Sequence, residues 1–258
     1  MSNDKNEFRI LGKPLIYHDV LDSTNLEAKR LAQKNAVEGT IVRAKRQTAG
    51  RGRLQRVWES PRDAGLWFSM ILRPRLDPGY CAQITLISAV VMSEAVEKLT
   101  GVVPKIKWPN DLLVNGKKLC GILSEMNLDD NGVDYIIVGI GININLALQD
   151  LNPQIKDIAT SLEIITGKKW EAQDLLDKFR ESFEHWYGVW EEQGFSPMKE
   201  EWIKRSCTIG EKIHVKDDDE IIFTGDALSI DDYGSIVVQG ESGEIRDFVY
   251  GEISIRNA

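Results

Sequence analysis

Short apolar or alternating runs, which are typical of β-strands, recur along the first part of the chain. Residues 66–72 (LWFSMIL) form one such run between Gly65 and Pro74. The pair Asn115-Gly116 separates two others and predicts a tight hairpin turn. The predicted strands cover residues 40–44, 66–72, 103–108, 112–114, 119–126 and 133–145.

Other segments carry their apolar residues at helical intervals. A first helix is predicted to begin near Thr24, where Thr24 and Glu27 form a capping-box pattern. Residues 82–99 form a second helix, and Leu176 to Trp190 a third. Hairpins mixed with helices predict an α+β fold, in which a mixed or antiparallel sheet packs with helices, rather than a doubly wound parallel sheet.

The pattern changes near residue 206. Four short strands are predicted at 209–215, 221–230, 234–240 and 244–250, separated by charged or glycine-containing turns. Such a series is typical of a small all-β barrel. We therefore expect two domains, covering residues 1–205 and 206–258.

Composition excludes several classes of protein. The 258 residues are 28% charged and carry a net charge of −8, which argues against general affinity for nucleic acids. No run approaches the roughly 18 apolar residues of a membrane span, and MSNDKNEF at the start is unlike a secretory signal. Cys81, Cys120 and Cys207 form no CxxC pair, which fits a cytoplasmic protein.

Two basic clusters stand out in this acidic chain. Residues 43–56 carry six cations and no anion, and a second basic stretch from Lys105 to Lys118 is interrupted only by Asp111. Within the first, Gly50-Arg51-Gly52-Arg53 would let backbone N–H groups and guanidinium groups approach a small anion closely. An exposed flexible basic loop is the alternative explanation. Neither a Walker motif nor GxGxxG is present.

Residues 107–111 (KWPND) are expected to emerge at a sheet edge, where Lys107 could neutralise phosphate and Asp111 could help hold a divalent ion. The alternative explanation for these residues is a strand-ending turn, in which Asn110 and Asp111 form hydrogen bonds with backbone groups. Lys118 heads an apolar strand, so it is either an edge residue or a cation directed at a ligand.

Longer motifs bring these segments together. QTAGRGRLQRVW (47–58), KWPNDLLVNGKKLCGILSE (107–125) and VGIGINI (138–144) occur in this order, with DSTN (22–25) before them and FVYGEISIR (248–256) after. Together they resemble biotin protein ligases over about residues 15–256. The resemblance implies a class II synthetase-like catalytic fold followed by a small SH3-like β-barrel.

The resemblance also implies roles for individual residues. Ser23, Thr24 and Gln47 would hydrogen-bond the ureido group of biotin, and glycines would let the ring lie close to the backbone. Helix capping is the competing explanation for Ser23 and Thr24, and a β-bulge for Gly139 and Gly141. The implied biotin-binding set is Ser23, Thr24, Asn25, Gln47, Gly50, Arg51, Gly52, Arg53, Lys118, Gly121, Gly139 and Gly141.

For catalysis and nucleotide binding, the resemblance implies a cationic site. Lys118, Arg51 and Arg53 would stabilise the charge that develops when the biotin carboxylate attacks the α-phosphate of ATP. Asp111 would help to hold Mg²⁺. The alternative explanation for Trp58 is that it is simply a buried tryptophan. For Arg256 the alternative is a surface charge that keeps the small barrel soluble. The implied nucleotide-binding set is Arg53, Trp58, Lys107, Asn110, Asn143 and Arg256.

The implied reaction has two steps, formation of biotinyl-5'-AMP and transfer of biotin to a lysine of a biotin carboxyl carrier protein domain, a subunit of acetyl-CoA carboxylase. No side-chain nucleophile is needed, and His18, His185 and His214 have no metal-site spacing. A lipoate–protein ligase is the enzyme alternative. A small RNA-binding module is the non-enzyme alternative, although single-strand binding normally needs aromatic platforms beside the charge.

Two expectations concern assembly. Some members of this family carry an N-terminal DNA-binding domain, but the resemblance begins near residue 15, so we expect a monofunctional enzyme that does not bind DNA or membranes. Sheet-to-sheet dimers occur in the family, and the sequence leaves a homodimer open.

Overall fold

A computed structural model describes residues 11–75, 77–130, 132–217, 220–249 and 252–255. Its larger sheet contains β1 (Leu15–Leu21), β2 (Ile41–Gln47), β3 (Gly65–Leu72), β4 (Lys105–Lys107), β5 (Asp111–Val114), β6 (Lys117–Asp129) and β7 (Gly132–Asn143). The order across the sheet is β1-β2-β3-β7-β6-β5-β4. β1 and β2 are parallel, while the other neighbours are antiparallel. The predicted mixed sheet is confirmed.

Helices cover both faces of this sheet. They are α1 (Thr24–Ala32), α2 (Cys81–Thr100), α3 (Leu162–Thr166), α4 (Ala172–Gln193) and α5 (Ser196–Arg205). Phe68 and Met70 of β3 belong to the core cluster that contains α2 and α4, whereas Ile71 packs with Ala28 of α1. Because successive strand residues face opposite sides, β3 must be apolar on both, which explains its unbroken apolar run.

Helix α2 is the most apolar helix of the core. The segment Pro78–Thr100 is long and apolar enough to cross a membrane by length and composition, but 72% of its most apolar window is buried inside the protein. The expectation that no run approaches a membrane span was therefore too strict. Burial against the sheet and α4 accounts for the composition of this helix.

The predicted hairpin turn is confirmed, and the predicted helix cap is wrong. Asn115 and Gly116 have φ values of 51° and 75°, the two positive angles that a type I′ hairpin turn requires. At α1, by contrast, the N-cap is Ser23, and its side chain makes no capping hydrogen bond. The predicted capping box of Thr24 and Glu27 is wrong, because Thr24 donates its backbone N–H to Gln47 and its hydroxyl lies against Gln47 and Ser69.

A second, smaller sheet follows α5. It contains β8 (Lys212–Asp217), β9 (Glu220–Ile230), β10 (Ile236–Gly240), β11 (Ile245–Phe248) and β12 (Glu252–Ile255). The order is β11-β10-β9-β8-β12, and every pair is antiparallel. The expected small C-terminal β unit is present. α5 ends at Arg205, at the predicted boundary, and the division into domains of residues 1–205 and 206–258 stays a prediction.

The two sheets are joined around Trp108, which follows β4 and is 2% exposed. Its backbone N–H donates to Thr208 Oγ1 at 3.1 Å, and its indole N–H donates to the carbonyl of Gly234 at 3.1 Å. Cys207 N donates to the carbonyl of Ile106 at 2.9 Å. The C-terminal sheet is thereby held against the edge of the larger one.

Candidate functional site

A cavity of about 440 Å³ opens beside the β6–β7 pair, between the start of α1 and the segment 51–59. This volume lies within the range of small-molecule sites. Most of the predicted site residues line it. They are Ser23, Thr24, Asn25, Gln47, Arg51, Gly52, Arg53, Trp58, Asn110, Asp111, Lys118, Gly121, Gly139, Gly141 and Asn143.

Two predicted site residues within the described part of the chain, Gly50 and Lys107, are not among those that line the cavity. Gly50 is buried behind the wall, where its carbonyl accepts from Trp58 N at 3.0 Å and a Cβ would overlap the Trp58 carbonyl oxygen. The absence of a side chain at Gly50 therefore allows the backbone of segment 50–58 to fold back on itself. Lys107 lies in the edge strand β4, outside the lining. Arg256 lies outside the described residues.

One end of the cavity is a network of buried polar side chains. Gln47 Oε1 accepts from Thr24 N at 2.8 Å, and Gln47 Nε2 donates to Ser60 Oγ at 2.7 Å. Ser69 Oγ lies 2.8 Å from Thr24 Oγ1 and 2.6 Å from Asn25 Oδ1. Because Ser69 has one proton and the Asn25 oxygen can only accept, that proton points to Asn25. A fixed set of donors and acceptors results, which suits a small polar group.

The same hydrogen bonds test the helix-capping explanation for Ser23 and Thr24. Ser23 is 2% exposed and makes no side-chain cap bond, and Thr24 is committed to Gln47 and Ser69. Capping therefore does not account for either side chain.

The cavity floor consists of glycines on two neighbouring strands. Gly121 and Gly141 pair directly across β6 and β7. A Cβ on Gly141 would lie 2.5 Å from Trp58 Nε1, and one on Gly121 would lie 3.0 Å from the same indole. At Gly139 a Cβ would overlap the Asn25 amide oxygen. The glycines thus make room for Trp58 and Asn25, rather than only for a ligand ring as predicted. The β-bulge explanation for Gly139 and Gly141 is wrong, since the irregularity in the β6–β7 pair falls at Asn127 and Leu128.

The other end of the cavity is cationic. Lys118 Nζ lies 2.7 Å from Asp111 Oδ1 and 5.3 Å from the centre of a Trp58 ring. Arg53 donates to Asn110 Oδ1 at 3.3 Å, and Asn110 Nδ2 donates to the carbonyl of Ile122 at 2.8 Å. Asn110 therefore satisfies a backbone group, as the turn explanation expected, and also contacts a predicted catalytic arginine.

Segment 50–58 closes over the cavity through its own backbone. Gly52 N donates to the carbonyl of Arg56 at 2.7 Å, and Arg51 bridges Val57. Between them Leu54 and Gln55 have φ values of 50° and 57°. These left-handed conformations are unfavourable for residues with a Cβ. The conformation of this segment therefore carries local strain.

Several residues that line the cavity, or that contact its lining, were not predicted from the sequence. Glu125 contacts both Asn25 and Arg51. Segment 152–159 forms a wall, because Lys118 N donates to the carbonyl of Ile158 at 2.7 Å and Thr160 N donates to the Lys118 carbonyl at 2.9 Å. That contact spans about forty residues of chain and leaves no local pattern. Only the position of Glu125 within the GILSE motif offered a signal.

The cysteines take no part in this chemistry. Burial raises the pKa of the Cys81 thiol to about 11 and raises the pKa values of Cys120 and Cys207 as well. A thiol that stays protonated at neutral pH is a poor nucleophile. Among the described residues, no cluster of three or more histidine, cysteine, aspartate or glutamate side chains could hold a metal ion.

Comparison with known proteins defines the class first. Residues 17–143 match the model of the Biotin/lipoate A/B protein ligase family, and residues 208–256 match the Biotin protein ligase C terminal domain. The first match spans the cavity wall from β1 to β7, and the second spans the smaller sheet.

Individual relatives narrow this class. The chain is 42% identical over 234 residues to the bifunctional ligase/repressor BirA of Bacillus subtilis, covering 91% of this chain and 72% of that protein. It is 34% identical to the biotin--[acetyl-CoA-carboxylase] ligase of Paracoccus denitrificans, covering 86% and 92%. A solved structure of the Aquifex aeolicus biotin protein ligase in complex with biotin and ATP superposes with a TM-score of 0.82, at 34% identity, over 95% of this chain and 100% of that one. The chain belongs to the biotin protein ligase family.

Proposed function

We propose that this protein forms biotinyl-5'-AMP from biotin and ATP and then transfers the biotinyl group to one lysine of a biotin carboxyl carrier protein domain. The observation that carries the proposal is the polarity of the cavity. A hydrogen-bonding network lies at one end and Arg53 and Lys118 lie at the other, while Arg51 also lines the cavity. Biotin has the same polarity, with a ureido group at one end and a carboxylate at the other.

The residues of the network would hold the ureido group. Thr24, Asn25 and Gln47 keep their side chains in fixed orientations through bonds to Ser69, Ser60 and one another. Fixed donors and acceptors lose little freedom on binding, so they contribute to both affinity and selectivity.

The cations would bring two anions together. In the first step, a carboxylate oxygen bonds to the α-phosphorus of ATP and pyrophosphate leaves. Lys118 and Arg53 would lie against the negative charge of both groups, which is the stabilisation this reaction requires. In the second step, the carrier lysine amine attacks the mixed anhydride, and AMP leaves. A closed segment 50–58 would keep water from the adenylate.

Magnesium, which this family's chemistry implies, would enter with the nucleotide. Asp111 is a carboxylate that lines the cavity and is paired with Lys118. One carboxylate together with phosphate oxygens is a common environment for Mg²⁺, so the residues fit a metal that arrives as MgATP. When bound, the ion would neutralise phosphate charge.

Mass spectrometry of a carrier domain tests the proposal. After incubation with biotin, MgATP and this protein, the domain should gain the mass of one biotinyl group, and omission of ATP should abolish the gain. An unchanged carrier mass, with the protein folded, would reject the proposal. A cytoplasmic location belongs to the same proposal.

Lipoate is the alternative acid, because the family of the first match includes lipoate ligases. The C-terminal match and the curated relatives favour biotin. A thermal-shift comparison of the two acids should show stabilisation by biotin alone.

A further inference from the structure

Glu125 lies beside the cavity, where it contacts two of the residues that line it. It lies on β6, opposite Ile137 of β7, and its side chain is 31% exposed. Its two carboxylate oxygens have different partners. Oε2 accepts from Asn25 Nδ2 at 2.8 Å, while Oε1 lies 3.4 Å from Arg51 NH1.

We propose that Glu125 is a positioning residue with two opposing effects on biotin binding, an inference that rests on the proposed function. Through Asn25 it favours binding, because it orients an amide of the polar network. Through Arg51 it opposes binding, because it competes with the ligand carboxylate for that guanidinium.

The orientation effect follows from the surroundings of Asn25, which is 5% exposed. Its Nδ2 faces Glu125 and the carbonyl of Leu123 at 3.3 Å, while its Oδ1 receives the Ser69 hydroxyl at 2.6 Å. Donor and acceptor atoms of an amide differ little in shape, so hydrogen-bond partners decide its orientation. Glu125 supplies the strongest acceptor on the Nδ2 side, since it is charged.

The competing effect follows from the geometry of the Arg51 pair. At 3.4 Å, with the Arg51 side chain 40% exposed, this ion pair is loose and solvent-screened. A carboxylate in the cavity, more enclosed than Glu125, would draw Arg51 away from it. The guanidinium then exchanges one anion for another, and the loss of the first contact reduces the net gain from the second.

Two substitutions separate these effects. In Glu125→Gln the amide oxygen can still accept from Asn25, but the negative charge facing Arg51 is gone. In Glu125→Ala both contacts are lost. Glu27→Gln is the matched control, because Glu27 lies on α1 near Asn25 but pairs with Arg30.

Biotin affinity, measured by isothermal titration calorimetry, is the test. We expect Glu125→Gln to bind biotin about two- to fivefold more tightly than wild type, since an exposed ion pair of this kind is removed. We expect Glu125→Ala to bind about tenfold more weakly, because the buried Asn25 amide loses a partner. Glu27→Gln should bind like wild type. Changes of opposite sign are the signature that a merely structural role would not produce.

Hydrogen exchange of the free proteins adds a second readout. Amides of residues 51–57 should exchange faster in Glu125→Gln than in wild type, and equally in Glu27→Gln. Unchanged or weaker biotin binding by Glu125→Gln would overturn the inference while leaving the ligase proposal intact. If wild type itself failed to bind biotin, the proposed function would fall, and the inference with it.

Discussion

At the scale of single residues, the cations of the site are held by partners within the chain. Lys118 lies against Asp111, Arg51 against Glu125, and Arg53 against Asn110. The Lys118 and Arg53 contacts keep these charged groups in place near the position where anionic substrates would bind, whereas the looser Arg51 pair can be exchanged for a ligand. Preorganised charge of this kind lowers the barrier because little rearrangement is needed in the transition state.

Lys118 is expected to be needed for chemistry more than for binding. Lys118→Ala should reduce adenylate formation by about 10²-fold or more, as removal of one preorganised electrostatic contact does. Much of the biotin affinity and the fold should remain. Pyrophosphate release, monitored with biotin and MgATP, is the measurement. Lys117→Ala is the control, since Lys117 extends outward to the carbonyl of Lys156. Pyrophosphate release by Lys118→Ala at the wild-type rate would remove Lys118 from the mechanism.

Gly139 is expected to tolerate no side chain, because the space of its Cβ is filled by the Asn25 amide. Gly139→Ala should displace Asn25 and lower the free energy of unfolding by about 1–3 kcal/mol, as overpacking does. It should also weaken biotin binding. Gly188→Ala in α4 has no heavy atom within 4 Å and should instead stabilise the protein by about 0.5–1 kcal/mol. Urea denaturation compares the two variants, and equal stability changes would show that the close approach at Gly139 is unimportant.

At the scale of elements, segment 50–58 differs from the sheet on which it lies. It carries three arginines, two exposed apolar side chains at Leu54 and Val57, and two left-handed residues at Leu54 and Gln55. Strain of about 1–2 kcal/mol per left-handed residue and few buried contacts place it at the low end of local stability. A bound anion would add contacts that only the closed segment can make.

We therefore predict that residues 50–58 exchange their amide hydrogens rapidly in the free protein and become protected when biotin or biotinyl-adenylate binds. The informative amides are Gly52, Arg56 and Trp58, which donate within the segment. Amides of α2 provide an internal standard, since that helix is buried. Strong protection in all three states would contradict gating by this segment, though not the family assignment.

At the scale of the whole molecule, the two sheets meet through a few specific contacts. Trp108 bonds to both Thr208 and Gly234, and Gln83 of α2 donates to the carbonyl of Asp232. These bonds place Thr208 and the turn between β9 and β10 close to the start of the segment that carries Asn110 and Asp111, which line the cavity. Stability of this joint should therefore be coupled to the site.

The indole hydrogen bond of Trp108 is expected to stabilise the joint measurably. Trp108→Phe should lower the free energy of unfolding by about 1–2 kcal/mol more than Trp202→Phe does, because it leaves the Gly234 carbonyl without its donor. Trp202 is a suitable control, since it is fully buried and its Nε1 has no hydrogen-bond partner within the described part of the chain. Chemical denaturation gives both values. Equal losses would mean that packing, and not the hydrogen bond, holds the sheets together.

Some elements of the fold and site could be predicted from the sequence, and others could not. The strand at 66–72, the helix at 82–99 and the Asn115-Gly116 hairpin were predicted correctly, because periodicity and positive φ are local requirements. Most of the predicted site residues line one cavity, since long ordered motifs carried the family resemblance, and the roles of those residues stay a prediction. The capping box at Thr24 failed because a residue 23 positions away, Gln47, competes for the same groups.

The sequence by itself therefore determined the α+β class, the positions of most strands and of helices α1, α2 and α4, and the motif residues that gather at one cavity, whereas β1, β12, α3 and α5 were not predicted. Only the tertiary structure decided which residues face one another there. It placed Glu125 between Asn25 and Arg51, set Trp58 over Gly121 and Gly141, and brought the wall at 152–159 against Lys118. The physical reason is that these contacts depend on strand register and chain crossings between distant segments, and no local pattern of apolar and polar residues encodes them.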